Sequence, residues 1–225
     1  MFTRLSRWLL TLAVVVLAML RPAGAELVVG RDYVPVVPPQ ATDNPGKLEV
    51  IEFFSYGCPH CAEFHPTVSK WAAALPNDVV FRRVPVSFNR PPWASLARLF
   101  YALEATGDLA RLDSAVFQAL HQTSTRLYDD KSVIAWAGAQ GVDSKKFTDA
   151  YNSFGVISKA KRGDQMAEAY RIPGVPAMAV DGRYLVTGKD VKGHADVIAL
   201  TEQVIDKARR ERAAEKARGG SGKKQ

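Results

Sequence analysis

Apolar and polar positions divide the chain into segments of different period. Residues 26–47 carry Pro35, Pro38, Pro39 and Pro45 and read as mostly extended or looped. Leu48 to Phe54 is a nearly unbroken apolar and aromatic run interrupted by Glu49 and Glu52, the pattern of a buried strand. Phe64, Val68, Trp71 and Leu75 then recur at helical spacing until Pro76-Asn77. Val79 to Val86, β-branched and aromatic, closes a strand–helix–strand unit.

From Pro91 to about Tyr170 the period is helical throughout. Leu96, Leu99, Phe100 and Leu103 mark one helix, Val116, Ala119 and Leu120 another, and Phe147, Ala150, Tyr151 and Phe154 a third, with Gly107, Gly141 and Gly155 as punctuation. Four or five short helices fit this block. Ala177–Val180 and Arg183–Thr187 flank Asp181-Gly182, whose tolerance of positive φ predicts a type I′ hairpin. A last helix presents Val197, Leu200, Val204 and Ala208 on one face.

The first 25 residues follow a different logic. Arg4 and Arg7 precede a 13-residue apolar run, Trp8 to Leu20, and Ala23-Gly24-Ala25 supplies small residues suited to cleavage. A spanning helix needs ~20 apolar residues, so the run reads as a secretory signal rather than an anchor, with the mature chain expected to begin at Glu26.

A chain of 225 residues makes one or two domains, and 47% apolar with 24% charged residues is ordinary for a folded protein. The net charge of +7 suggests a nucleic-acid binder only until it is located. The leader holds three of those charges and the stretch from Lys207 onward a net +6, so the body between them is slightly acidic, at −2. Such a body has no extended phosphate-binding surface, and nucleic acid is excluded as a partner. The basic end, closing in Gly219-Gly220-Ser221-Gly222, reads as a solvated helix terminus and flexible tail over 211–225, with weak attraction to anionic lipid as the alternative.

Both cysteines of the chain lie in Cys58-Pro59-His60-Cys61, between the first strand and the first helix. Pro59 suits the first helical turn, which makes Cys58 the N-cap. Unpaired N–H groups and the positive end of the helix dipole then face the Cys58 sulfur and favour its thiolate. Cys61, one turn deeper on the same face, is within disulfide reach. Cys58 is therefore the expected nucleophile and Cys61 the resolving thiol. A purely structural bridge is a poor alternative, because a two-residue spacer constrains the unfolded chain far less than the ~3 kcal/mol of a 15-residue loop. Zinc would need a second closely spaced ligand pair, and beyond the thiols there are only His60, His65, His121 and His194. Inert buried thiols leave the Pro-His insert unexplained.

The stretch Glu52-Phe53-Phe54-Ser55-Tyr56-Gly57-Cys58-Pro59-His60-Cys61, together with Gly174-Val175-Pro176-Ala177, closely resembles the DsbA family of periplasmic thiol–disulfide oxidases. Cys58 and Pro176 are 118 residues apart, with the helical block between them. The resemblance implies an α/β thioredoxin fold with an inserted α-helical domain: thioredoxin-like parts at 26–90 and 171–210 and an insert at 91–170. It further implies a monomer in the periplasm that donates the Cys58–Cys61 disulfide to unfolded exported proteins with free thiols. A quinone-linked membrane oxidase of the DsbB type would restore the bridge, and no organic cofactor or metal would be needed. The alternatives are a disulfide isomerase or reductase of the same fold, or a peptide-binding chaperone without redox turnover.

Family roles then fall on individual residues. Pro176 is expected to have a cis peptide bond and to face the cysteines, leaving the Val175 backbone open to a substrate strand. His60 is expected to donate a hydrogen bond toward the Cys58 thiolate or to add positive charge beside it. Each unit by which that thiol falls below ambient pH favours the dithiol by ~1.4 kcal/mol, or ~30 mV for a two-electron couple. Glu52, six residues before Cys58, is either a costly buried acid or a solvated strand end, and the resemblance implies a buried acid that exchanges protons with Cys61. Tyr56-Gly57 departs from the more aromatic pair of the best-known member. His65, His121 and His194 receive no role.

Overall fold

A computed structural model describes residues 26–188 and 190–221. The leader and the last four residues lie outside them. Five strands, β1 (Tyr33–Pro35), β2 (Leu48–Phe54), β3 (Val79–Pro85), β4 (Ala177–Val180) and β5 (Tyr184–Val186), form one sheet in the order β1-β5-β4-β2-β3. The β2 strand pairs in parallel with β3, Glu52 opposite Arg83, and antiparallel with β4, Glu52 opposite Met178. Every β2 side chain is buried, as the apolar run predicts, and the two glutamates are buried with it.

Helix α1 (Pro59–Ala72) crosses from β2 to β3. Helices α2 (Pro91–Thr106), α3 (Leu109–His121), α4 (Asp130–Ala139), α5 (Ser144–Tyr151) and α6 (Phe154–Ala169) form the insert, and α7 (His194–Ser221) closes the chain. Because strand side chains alternate, β2 presents two faces. Val50 packs with Val68, Trp71, Val204 and Ala208 of α1 and α7, whereas Ile51 and Phe53 pack with Ala167 and Tyr170 at the end of α6. A third core joins Phe54, Tyr56 and both cysteines to Leu96, Leu99, Phe117 and Phe147 of the insert, so the cysteines sit where the two parts meet. Gly163 of α6 lies against β3 so closely that a Cβ there would be 2.5 Å from the Pro85 carbonyl oxygen.

Three details differ from expectation. The Pro-rich segment contributes a strand, β1, whose antiparallel pairing with β5 was masked because only three residues take part and the last is Pro35. Helix α1 ends at Ala72, short of Pro76. The proposed boundary of a flexible tail at 211 is corrected: α7 continues to Ser221. Ala213, Ala214, Glu215, Lys216 and Ala217 are strong helix formers. Arg183, beside the hairpin turn, also grips Glu215 with two bonds of 2.7 and 2.9 Å, and Arg212 pairs with buried Asp181. Asp181 and Gly182 have φ of 59° and 66°, the left-handed values of the expected turn.

Candidate active site

Cys58 occupies the N-cap of α1 with extended backbone (φ −94°, ψ 118°), and Pro59 follows at the first helical position. Cys58 is 6% exposed, whereas Cys61 is fully enclosed. Both cysteines stand as free thiols. The Cys58 thiol is lowered to about 6, first because Cys61 donates a hydrogen bond to its sulfur, then through the backbone N–H groups of Cys61 and His60, all acting against partial burial. The same interaction pushes Cys61 far up, together with its burial and the charges of Cys58 and Glu52. One turn of helix thus separates a thiol ready to ionise at neutral pH from one that holds its proton.

The geometry revises the expectation for His60. Its ring is 78% exposed and lies 3.3 Å from Glu63, so the hydrogen bond it gives to Cys58 comes from its backbone N–H. A first-turn side chain points outward, while the amides of that turn point along the axis at the cap. The charge of the ring is the smallest of the contributions that lower Cys58.

Pro176 follows a cis peptide bond, and the Val175 carbonyl oxygen accepts a hydrogen bond from the Cys58 thiol at 3.3 Å. An extended chain pairing with Val175 would therefore pass within reach of the Cys58 sulfur. Next to this corner opens an apolar groove of about 520 Å³ lined by Phe64, Val175, Pro176, Met178, Val191 and His194. On the other side, a depression of about 610 Å³ is walled by Pro59, Arg90, Trp93, His121 and Tyr128. A Cβ on Gly57 would lie 2.6 Å from the Trp93 indole nitrogen, so an aromatic ring from the insert occupies the space beside Gly57.

Glu52 is fully buried beneath the cysteines. Its Oε2 accepts 2.7 Å from Nε of Arg83, and its Oε1 has no partner among the described residues. Burial raises its pKa against the pull of Arg83, and the charges of Asp113 and Cys58 add to the rise. Arg83 divides itself: Nη1 donates to both Asp113 oxygens at 2.9 and 2.7 Å, Nη2 is unpartnered, and the guanidinium carbon lies 3.7 Å from the centre of the Phe54 ring. Asp113 also accepts the Tyr56 hydroxyl at 2.5 Å. Buried His65 bridges Ser69 and Ser114 and has its Nε2 3.7 Å from Asp113; burial lowers its pKa, which leaves it neutral near pH 7.

Sequence reasoning had placed Cys58, Pro59, His60, Cys61, Glu52, Val175 and Pro176 at one site, and the fold brings all seven together. It missed Arg83, Asp113, Tyr56, Trp93 and the two inward histidines, of which His121 donates from Nε2 to the Tyr56 carbonyl at 2.7 Å. Arg83 was discoverable: a charged pair inside the apolar run of β3 stands opposite Glu52 once the strands are taken as parallel. Nothing local marks Asp113, which comes from a helix 30 residues farther along the chain.

Residues 49–199 match the family of DSBA-like thioredoxin domains. A curated relative from Bordetella parapertussis, the thiol:disulfide interchange protein DsbA, is 41% identical over 184 residues, covering 80% of this chain and 86% of the relative. The protein of the same name from Burkholderia cepacia is 40% identical over 178 residues, covering 79% and 82%. The crystal structure of Pseudomonas aeruginosa DsbA superposes with a TM-score of 0.77 at 35% identity, over 84% of this chain and 97% of that one.

Proposed function

The chain belongs to the family of DSBA-like thioredoxin domains, and from that membership we propose how its cysteine pair, apolar groove and buried acid share the work of thiol–disulfide exchange. It is a thiol:disulfide oxidoreductase acting on protein substrates. In the donor direction, a substrate thiolate attacks Sγ of Cys58 and the Cys58–Cys61 bond breaks. The electron pair goes to the Cys61 sulfur, which takes a proton from the Glu52 carboxyl. A second substrate thiolate then attacks the substrate sulfur of the mixed disulfide and expels Cys58 as a thiolate. The substrate is oxidised by two electrons and the protein reduced by two.

The observation that carries this reading is the asymmetry of the two thiols, with Cys58 lowered to about 6 at the head of α1. A thiol of low pKa is a good leaving group, and its stabilised thiolate makes the dithiol the favoured form, so the bridge is passed on. Apolar side chains of an unfolded substrate fit the groove below Pro176, while its backbone pairs at Val175. Mature protein released from a leader ending at Ala25 would work in the periplasm as a monomer. A quinone-linked membrane oxidase of the DsbB type would restore the bridge, with the cysteine pair as the whole redox centre and neither cofactor nor metal. Equilibration against glutathione tests the direction: the dithiol should dominate at ratios where an ordinary protein disulfide stays closed, and a favoured bridged form would overturn the donor role. Cys58→Ser should abolish transfer; retained activity would point instead to a chaperone.

A further inference from the structure

Asp113 comes from the helical insert, lies outside the cysteine motif and touches no reacting sulfur, yet it is the more heavily bonded of the two carboxylates under the site. It takes two contacts from Arg83 Nη1 and one from the Tyr56 hydroxyl. Glu52 takes one bond from the same guanidinium and has a bare oxygen. Glu52, fully buried, and Asp113, 19% exposed, share the enclosed cation of Arg83, and a low-dielectric site holding both ionised would carry an uncompensated charge. The better-bonded acid keeps the cation, and the other becomes the protonatable one.

We propose that Asp113 is a positioning residue that draws Arg83 away from Glu52 and thereby keeps Glu52 able to hold, and give up, a proton beside Cys61. The groups acting on Glu52 are Arg83 from β3, Asp113 from α3, Tyr56 from the loop after β2, and Cys58 and Cys61 at the head of α1, while His65 of α1 lies beside Asp113. When Cys61 leaves as a thiolate, the Glu52 O–H bond breaks, the proton joins the Cys61 sulfur, and the new carboxylate remains on Arg83 Nε. No other reactant is required, and solvent later returns the proton. Inserting a helical domain thus places an acid that tunes chemistry on the thioredoxin sheet.

The inference rests on Glu52 as the proton carrier, and it is tested by infrared titration of the full-length protein. The signal is the carbonyl band of a buried protonated carboxyl, identified by its loss in Glu52→Gln. Asp113→Asn should move the midpoint of that band down, corresponding to about tenfold weaker proton binding, because Arg83 then serves Glu52 alone. Tyr56→Phe, which strips a donor from Asp113 and strengthens its negative field, should move it up by about threefold. Asp113→Glu should restore the midpoint toward that of the parent protein. An unmoved midpoint in folded Asp113→Asn, a downward shift in Tyr56→Phe, or no band that Glu52→Gln removes would each overturn the proposal. If Asp113→Asn does not fold, Tyr56→Phe decides alone, an unmoved or lowered midpoint counting against. Transfer at the parental rate by Glu52→Gln would instead remove the proton-carrier role while leaving the midpoint comparison readable.

Discussion

Strand β2 carries two buried glutamates on its opposite faces, and each meets an arginine from β3, yet they are bonded in different ways. On the α6 face, Glu49 accepts from Nε and Nη2 of Arg82 at 3.0 and 3.3 Å and from the Asp43 backbone N–H at 3.1 Å, so both oxygens are satisfied. Its arginine is 25% exposed and reaches water. On the α1 face, Glu52 has one donor, shares its arginine with Asp113 and touches no solvent. Residue type, strand and kind of partner are the same. Arg82 too serves a second acid, Asp43 at 3.4 Å, so what separates a structural carboxylate from a chemical one is the count of donors per oxygen and whether the pair reaches water.

The comparison is broken most directly through the arginines. Arg83→Met would leave Glu52 and Asp113 facing each other without a cation and should cost about 3–5 kcal/mol in denaturant unfolding, whereas Arg82→Met, at a wetter site, should cost about 1 kcal/mol. Equal losses would mean that the two faces do not differ. Next in size, Glu52→Gln should slow reduction of the protein by a model dithiol in stopped-flow fluorescence by about a hundredfold, the scale of lost general acid catalysis, and Glu49→Gln should leave that rate alone.

Two pH effects sharpen the contrast. Because the folded pKa of Glu52 is raised, the stability it contributes is fully present below about 4.5 and is lost as pH rises through the folded value. The parent protein should therefore lose stability relative to Glu52→Gln across that rise in urea titrations. Cys58 has the opposite sign: its folded value lies below the ordinary 9.0, so its contribution to the reduced protein is present above that pH and disappears as pH falls through about 6. Reduced parent protein and reduced Cys58→Ser should converge in melting temperature on acidification. The smallest effect belongs to His60→Ala. With the ring in solvent beside Glu63, the ultraviolet thiolate titration should show Cys58 binding its proton less than about threefold more tightly.

Much of this molecule was legible in its sequence, and the legible parts share a cause. The strand at Leu48–Phe54, the Asp181-Gly182 turn, the helical insert and the Cys58 cap all rest on neighbours in sequence, where period and backbone preference act. Contacts that need distant partners were hidden. Strand β1 gains its identity only from β5, the last turns of α7 from Arg183 and Asp181, and Asp113 its position from the packing of α3 over Arg83. His60 was named for a hydrogen bond or a charge beside Cys58: its backbone makes the bond, and its ring adds only the charge.

Gly163 has a consequence for how the protein survives its own clients. The terminal strand of a sheet ordinarily offers a free rim to any extended polypeptide, and a catalyst that acts on protein substrates is exposed to pairing of that kind. Here the rim at Pro85 is already shielded by the bare backbone of α6, and Asp164 on the next helical position claims the N–H groups of Ser87 and Phe88 at 2.7 and 3.2 Å. Clients are thus denied a parking place at that border, where they would be zipped into the sheet without ever reaching sulfur.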